Sequence, residues 1–448
     1  MSPTIFHPSL YDRQHFHASY WGAMTPRMAF TPLTGDTEVE VAIIGGGLAG
    51  LSTAFHLARD HHIEALVLEA GDIGWGASGR NAGFNTLPAS KLSVEQIFQR
   101  WPEPDARAFF DSQREGQELV YSLAKEEGFD LQRCGNGNFT VAHSPGAFRE
   151  LIEQLPWLRM AAIPCRILTR DEFSVIGHGG PEQFGALHVE TGGGLNPLAF
   201  TQGLAQSARR HGARICANTP MVSWEKQGGL HLLRTPHGVV RARQVVLATN
   251  GYRDGPEPKS IARRVLPAIS NILVSAPLSA RQWESIGLSD RSPMIDTRML
   301  VTYYRRLPDD RLLLGARSDT WGDPLHDNAM RDRLLSLLAR KFPDSGVLGV
   351  DYFWRGLLTL TRKFTPTWGR SLEDASVLFN LGCFGSGVNT MPWMGRTLAR
   401  AIAGVPLSAM EDCKVYRQLP GQLPKSPWLQ RGGLRLAYFH YALQDCLK

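Results

Sequence analysis

The sequence predicts a mixed α/β (α+β) fold in which a Rossmann-like domain is interleaved with a second, β-sheet-based domain. Three observations carry this expectation. First, residues 39–44 alternate and then run apolar (Val39, Val41, Ile43, Ile44), as a buried parallel strand does. Gly45-x-Gly47-x-x-Gly50 follows at once, residues 48–59 have helical periodicity, and a second apolar strand over 63–68 ends in Glu69. Second, two later apolar runs, 244–252 (QVVLATNGY) and 377–382 (VLFNLG), end in small polar residues or glycine, as strands do where a doubly wound sheet meets ligand. Third, the stretches between these runs change texture to long amphipathic helices and a hairpin.

The opening unit has a physical reading. The first glycine permits a tight turn, the second lets backbone N–H groups approach a pyrophosphate, and the third lets helix and strand pack closely. The helix start offers free donors and partial positive charge. Glu69, nineteen residues past Gly50, is placed to accept from a ribose diol. An acid there favours a free 2′-hydroxyl, as in FAD or NAD, over NADP.

Bulk composition narrows the class. At 448 residues two domains are expected, and 43% hydrophobic with 20% charged residues is globular. The net charge of +6 is scattered rather than blocked, which speaks against nucleic-acid binding. Six cysteines lie far apart without metal-ligand spacing and read as reduced thiols of a cytoplasmic protein with no metal. No secretory signal and no transmembrane stretch is evident.

Along the chain, residues 1–36 read as an aromatic arm over the body. Residues 70–84 hold five glycines in fifteen residues, a loop whose backbone lines something. Ser93-x-x-Gln96 is a capping box, 105–127 a long helix ended by Gly128, and 136–141 a strand. Ser144-Pro145 and Thr169-x-x-Glu172 open two more helices, and this segment is expected to cover the first domain. A helix over 198–211 and strands at 214–217, 221–225, 229–235 and 238–241 follow the glycine cluster 191–197. Residues 299–306 and 311–317 form a hairpin through Pro308-Asp309-Asp310. Alternation puts Val301, Tyr303 and Arg305 on one face and Thr302, Tyr304 and Arg306 on the other. Helices are expected over 328–342, 391–402 and, for core or dimer packing, 434–447. The domains follow: 1–90, 190–255 and 346–448 bind the dinucleotide, and 91–189 and 256–345 form the substrate or cap domain.

The segments IIGGGLAGLSTAFHLA, VLEAGDIGWGASGRNAGF, TGGGLNPLAF, VVLATNGY, YYRRLPDDRLLLGAR, FWRGLLTLTRKFTPTWGR and LGCFGSGVNTMPWMGRTLARAI together resemble the D-amino-acid-oxidase-like family of FAD-dependent oxidoreductases. The nearest branch is the gamma-glutamylputrescine oxidase type. The resemblance implies non-covalent FAD and an amine or amino-acid oxidase or dehydrogenase acting on CH–NH or CH–NH2. It places Gly45, Gly47, Leu48, Ala49 and Gly50 on the pyrophosphate and Glu69 and Ala70 at the ribose. Gly76, Ala77, Ser78, Asn81, Ala82 and Gly83 would approach the flavin, and Val222 would use its backbone on adenine. Thr249, Asn250 and Gly251 would line the groove, with Trp354, Gly356 and Gly385, Ser386, Gly387, Val388 and Asn389 at the flavin.

Two departures stand out. Gly385-Ser386-Gly387 replaces a glycine-flanked histidine, and Asn389 stands where sarcosine-oxidase relatives carry a carboxylate-binding lysine. Lys363 or Arg305 is expected to bind a substrate carboxylate instead, with Tyr303, Tyr304 and Ser386 around the amine. Cys383 reads as a buried thiol. The substrate is expected to be a gamma-glutamylated polyamine or a cyclic secondary amino acid such as pipecolate. Hydride would pass to flavin and the imine would hydrolyse. Electrons would leave to oxygen, a quinone or an electron-transfer protein, from a monomer or homodimer. Rival readings are a flavin-bearing RNA-modification module, which the scattered charge opposes, and a non-catalytic flavoprotein, which the missing histidine keeps open.

Overall fold

The computed structural model describes residues 4–253, 255–317 and 319–447, with residues 446 and 447 described by backbone alone. The Cys446 thiol and the first three residues of the arm therefore lie outside the described parts. The other five cysteines are free thiols.

The first sheet grows from Thr37–Ile44, which pairs in parallel with Ala65–Leu68 on one side and Gly238–Leu247 on the other. Arg214–Cys216 extends one edge, Val377–Leu381 the other, and Thr367–Arg370 closes it antiparallel. The strands expected at 238–241 and 244–252 form one strand, Gly238–Leu247. Arg243 inside it pairs with Glu40 at the surface, so the charges that break the apolar pattern sit on the wet face. Leu230–Thr235 and Ser223–Gln227 add an antiparallel ribbon to it.

Helices Leu48–His61, Pro197–Arg210, Glu103–Glu127 and Gly387–Ile402 pack together against this layer. Gly395 is what lets the last of these cross Leu48–His61, because a Cβ there would stand 2.5 Å from the Ala49 carbonyl oxygen. Glu103–Glu127 was expected in the covering domain but belongs to this bundle. Trp393 donates to its Glu115 at 2.7 Å, and Gly116 faces the Asn389 carbonyl. Its apolar face is satisfied by helices, not by a sheet.

The second sheet runs Val350–Leu360, Leu266–Ser275, Leu312–Ala316, Thr302–Arg306, Met294–Asp296, Asn138–Val141, Ala186–Val189, Cys165–Leu168. Val350–Leu360 lies inside the segment expected on the dinucleotide side, yet it pairs antiparallel with Leu266–Ser275 from Leu360 to Val350. Long-range pairing of this kind leaves no local mark, since any apolar strand fits either sheet.

The amino-terminal arm lies across both layers. Phe6 and Leu10 pack with Ile269 and Leu357, and Trp21 of the short helix Tyr20–Met24 donates to the Asn81 carbonyl at 2.8 Å. The last helix, Pro427–Leu447, starts earlier than expected and is tied down by Asp445, which accepts from Met299 N and Leu300 N. Leu434 is buried, while Leu436, Phe439 and Leu443 face outward. No helix among the described residues is long and apolar enough to cross a membrane.

Candidate active site

Two cavities meet above the carboxyl ends of the parallel strands. The first, about 750 Å3, is lined by Gly45–Ala49, Glu69, Ala70, Met221, Val222, Thr249 and Asn250, with Tyr11 and Arg13 of the arm over it. Local chemistry explains its shape. Gly45 has φ +108°, and a Cβ at Gly50 would stand 2.0 Å from the Gly45 carbonyl oxygen, so the turn closes only with these glycines. Gly47 begins Leu48–His61 without a side-chain cap, leaving backbone donors toward the cleft. Glu69 accepts from Gly46 N at 2.7 Å and Gly71 N at 2.9 Å, which pins the acid beside the turn.

The second cavity, about 460 Å3, shares Leu48, Ala77, Ser78, Asn250 and Met391 with the first. A long molecule with a nucleotide at one end and a ring system at the other fits this continuity, which is the shape of FAD. The shared wall is the loop expected from the sequence. Ser78 Oγ accepts from Leu48 N at 2.9 Å, and Asn81 ties the loop to itself through the Ala77 and Ser78 carbonyls and Gly83 N. Asn81 and Ala82 line the second cavity and Gly76 the first. Gly385, Ser386, Gly387 and Val388 line the second cavity from below, at the start of Gly387–Ile402. That helix begins four residues earlier than expected, and Ser386 gives no side-chain cap, so its first N–H groups stay available to negative charge. Ser386 Oγ donates to the Pro88 carbonyl at 3.3 Å. Cys383, buried, also lines this cavity.

Several expected site residues lie elsewhere. Asn389 is fully buried against Glu103–Glu127, donating to the Gln113 carbonyl at 3.4 Å, because the early helix start turns it away. Trp354 donates to the Arg80 carbonyl at 2.8 Å and supports the loop from behind, while Gly356 lines the cavity. Gly83, at φ +72°, packs on the Leu195 carbonyl, and Gly251 packs on Thr359, so neither lines a cavity. Val222 lines the nucleotide cleft, but its N–H donates to the Arg234 carbonyl, so only its carbonyl remains free for a base.

The two expected carboxylate binders are both structural. Lys363 Nζ donates to the carbonyls of Val415 (2.6 Å), Gln418 (2.8 Å) and Tyr416 (3.3 Å), and burial holds its ammonium well below the usual lysine range. Arg305 is buried, donating to the Leu195 carbonyl at 2.7 Å and Cys134 Sγ at 3.2 Å. It reaches there because Gly194 has no side chain. Tyr304 points into the second core and shares a hydrogen with His178 Nε2 at 2.7 Å.

Tyr303 does line the cavity. Its phenol sits 2.9 Å from Ser270 Oγ, and burial pushes it up to about 12. Its ring lies over Gly315, where a Cβ would meet Tyr303 Cζ at 2.1 Å. Lys91 and Arg317 also line the cavity and were missed. Arg317 shares strand parity with Gly315, a signal that was present in the sequence. Lys91 lies in a loop and carried none.

A family model described as "DAO: FAD dependent oxidoreductase" matches residues 40–401. The chain is 29% identical to "Probable oxidoreductase OrdL" of Haemophilus influenzae, over 92% of this chain and 94% of that one. It is 28% identical to the gamma-glutamylputrescine oxidoreductase of Escherichia coli, over 96% of this chain and 98% of that one. Among solved structures, the glycine oxidase of Geobacillus kaustophilus superposes with a TM-score of 0.70 at 21% identity, covering 83% of this chain and 96% of that one.

Proposed function

The chain belongs to the DAO family of FAD-dependent oxidoreductases, and on that premise we propose that it oxidises the C–N bond of a gamma-glutamylated polyamine or a cyclic secondary amino acid such as pipecolate, the imine hydrolysing in water. The observation that carries this reading is the second cavity. It is continuous with the nucleotide cleft, walled by Tyr303, Ser270, Ile272 and Ile295, and lined by no aspartate, glutamate or histidine among the described residues.

Held by the residues of the two cavities, FAD would supply an acceptor for a hydride from the carbon beside the nitrogen. The protein's part is orientation and charge. The Tyr303 phenol stays protonated at working pH, so it offers a directed hydrogen-bonding group to the amine, held in place by Ser270. An ammonium would find cations and no carboxylate in this cavity, so the neutral amine is the form it favours. With the amine neutral, its lone pair would assist loss of the hydride, and this cavity would need no protein base at the carbon. The uncapped start of Gly387–Ile402 is suited to negative charge gathered on the cofactor side.

The test is a spectrum. The purified protein is expected to be yellow, and anaerobic addition of the right amine to bleach it. Peroxide formed in air would then distinguish oxidase from dehydrogenase. A flavin that no amine or amino acid bleaches would defeat the proposal.

A further inference from the structure

Three cations line the cavity: Arg80 is spent on the Trp75 and Arg355 carbonyls, while Lys91 and Arg317 form no ion pair among the described residues. Arg317 follows the strand Leu312–Ala316, and its backbone N donates to Val301 O at 3.4 Å. Its Nη2 lies 3.5 Å from where a Gly385 Cβ would stand, and its guanidinium forms no ion pair or side-chain hydrogen bond among the described residues. Lys91 donates one hydrogen bond, to Met299 O at 3.0 Å, and its Nζ stands 5.2 Å from the Tyr441 ring centroid. Two of its three donors remain. Asp445 of the last helix acts on Lys91 through space, but its oxygens are held by Met299 N at 2.6 Å and Leu300 N at 3.1 Å and it forms no ion pair with Lys91. Two half-buried cations facing one space, neither in an ion pair among the described residues, make a site for an added anion.

Position says where on the substrate that anion lies. Arg317 is two residues along the strand from Gly315, which underlies the Tyr303 ring, so it stands roughly 7 Å further along the same face. Lys91 is on the side covered by the last helix. We propose that Lys91 and Arg317 form a carboxylate subsite on the side of the cavity covered by the last helix, and that the substrate is an amine carrying a carboxylate several bonds from the oxidised C–N, not a free diamine and not an α-amino acid. The inference rests on the reading of this cavity as the site of C–N oxidation.

The test uses the flavin-loaded enzyme and two matched amines, N-(4-aminobutyl)succinamic acid and its terminal amide. The wild type is expected to prefer the acid in kcat/KM by roughly ten- to hundredfold, the worth of one or two charge-assisted hydrogen bonds. In Arg317→Gln and Lys91→Met that ratio falls toward one, and in Arg317→Lys and Lys91→Arg part of it returns. Because the ratio is taken within one preparation, loss of folded protein cancels. Binding is read separately by calorimetry with N-butylsuccinamic acid, which has no amine to oxidise. The wild type is expected to bind it at least tenfold more tightly than either charge-removing variant does. An acid-to-amide ratio near one in the wild type, or one unchanged in the variants, would overturn the subsite. So would proline or pipecolate turning over better than the remote acid. If neither amine bleaches the flavin, the C–N reading fails, and the calorimetry alone still decides whether the subsite exists.

Discussion

Lys91 has lost much of its water without gaining an ion pair among the described residues. Burial, with Arg317 adding to it and Asp445 opposing, lowers its ammonium from the ordinary lysine value to about 8. The groups that face it are Arg317 from the strand end, Tyr441 and Asp445 from the last helix, and the Met299 carbonyl. Below pH 8 it is charged, and above pH 8 it becomes neutral. The kcat/KM for a remote acid should therefore fall as pH rises through about 8, while the amide analogue keeps only the profile of its own amine. Coincident profiles for acid and amide would refute this. Lys91 and Lys363 look alike in the sequence, as do Arg305 and Arg317. Lys363 ends among three carbonyls and Arg305 behind Gly194, so charge was legible and direction was not.

At the scale of elements, the strand–glycine turn–helix unit is held by a contact that admits no side chain. Gly50→Ala would put a methyl 2.0 Å from the Gly45 carbonyl oxygen, and backbone cannot yield as a flexible side chain can. Overpacking of this kind costs about 1–3 kcal/mol. The variant is expected to melt several degrees lower and to purify with less flavin per protein, read from the visible-to-ultraviolet absorbance ratio. An unchanged ratio would remove the turn from the cofactor site. This unit was legible because its parts lie within about thirty residues and each is marked locally by apolar period or glycine. The capping boxes at Ser93 and Thr169 formed for the same reason. The merged strand Gly238–Leu247 and the placement of Val350–Leu360 were not legible, because both depend on partners far away in sequence.

Across the whole molecule, the two cavities draw on the first sheet, its helices, the second sheet and the arm. A ligand filling both ties these parts together and should stabilise the fold by mass action, by about 2.7 kcal/mol when free ligand is a hundred times its Kd. Added FAD is expected to raise the melting temperature of the stripped protein in a concentration-dependent way. A melting curve indifferent to FAD would contradict a cofactor spanning both layers. The nucleotide-binding unit can be read from its residues alone, because it is assembled from neighbours along the chain and needs particular residues at particular spacings. The substrate cavity takes shape only through contacts between distant segments. Strand parity says that Tyr303 and Arg305 share a side, but not that one meets a cavity while the other is drawn behind Gly194. Lys91, Tyr303 and Arg317 come together because a loop, a hairpin and the last helix converge there, and nothing in any one of those segments encodes the meeting.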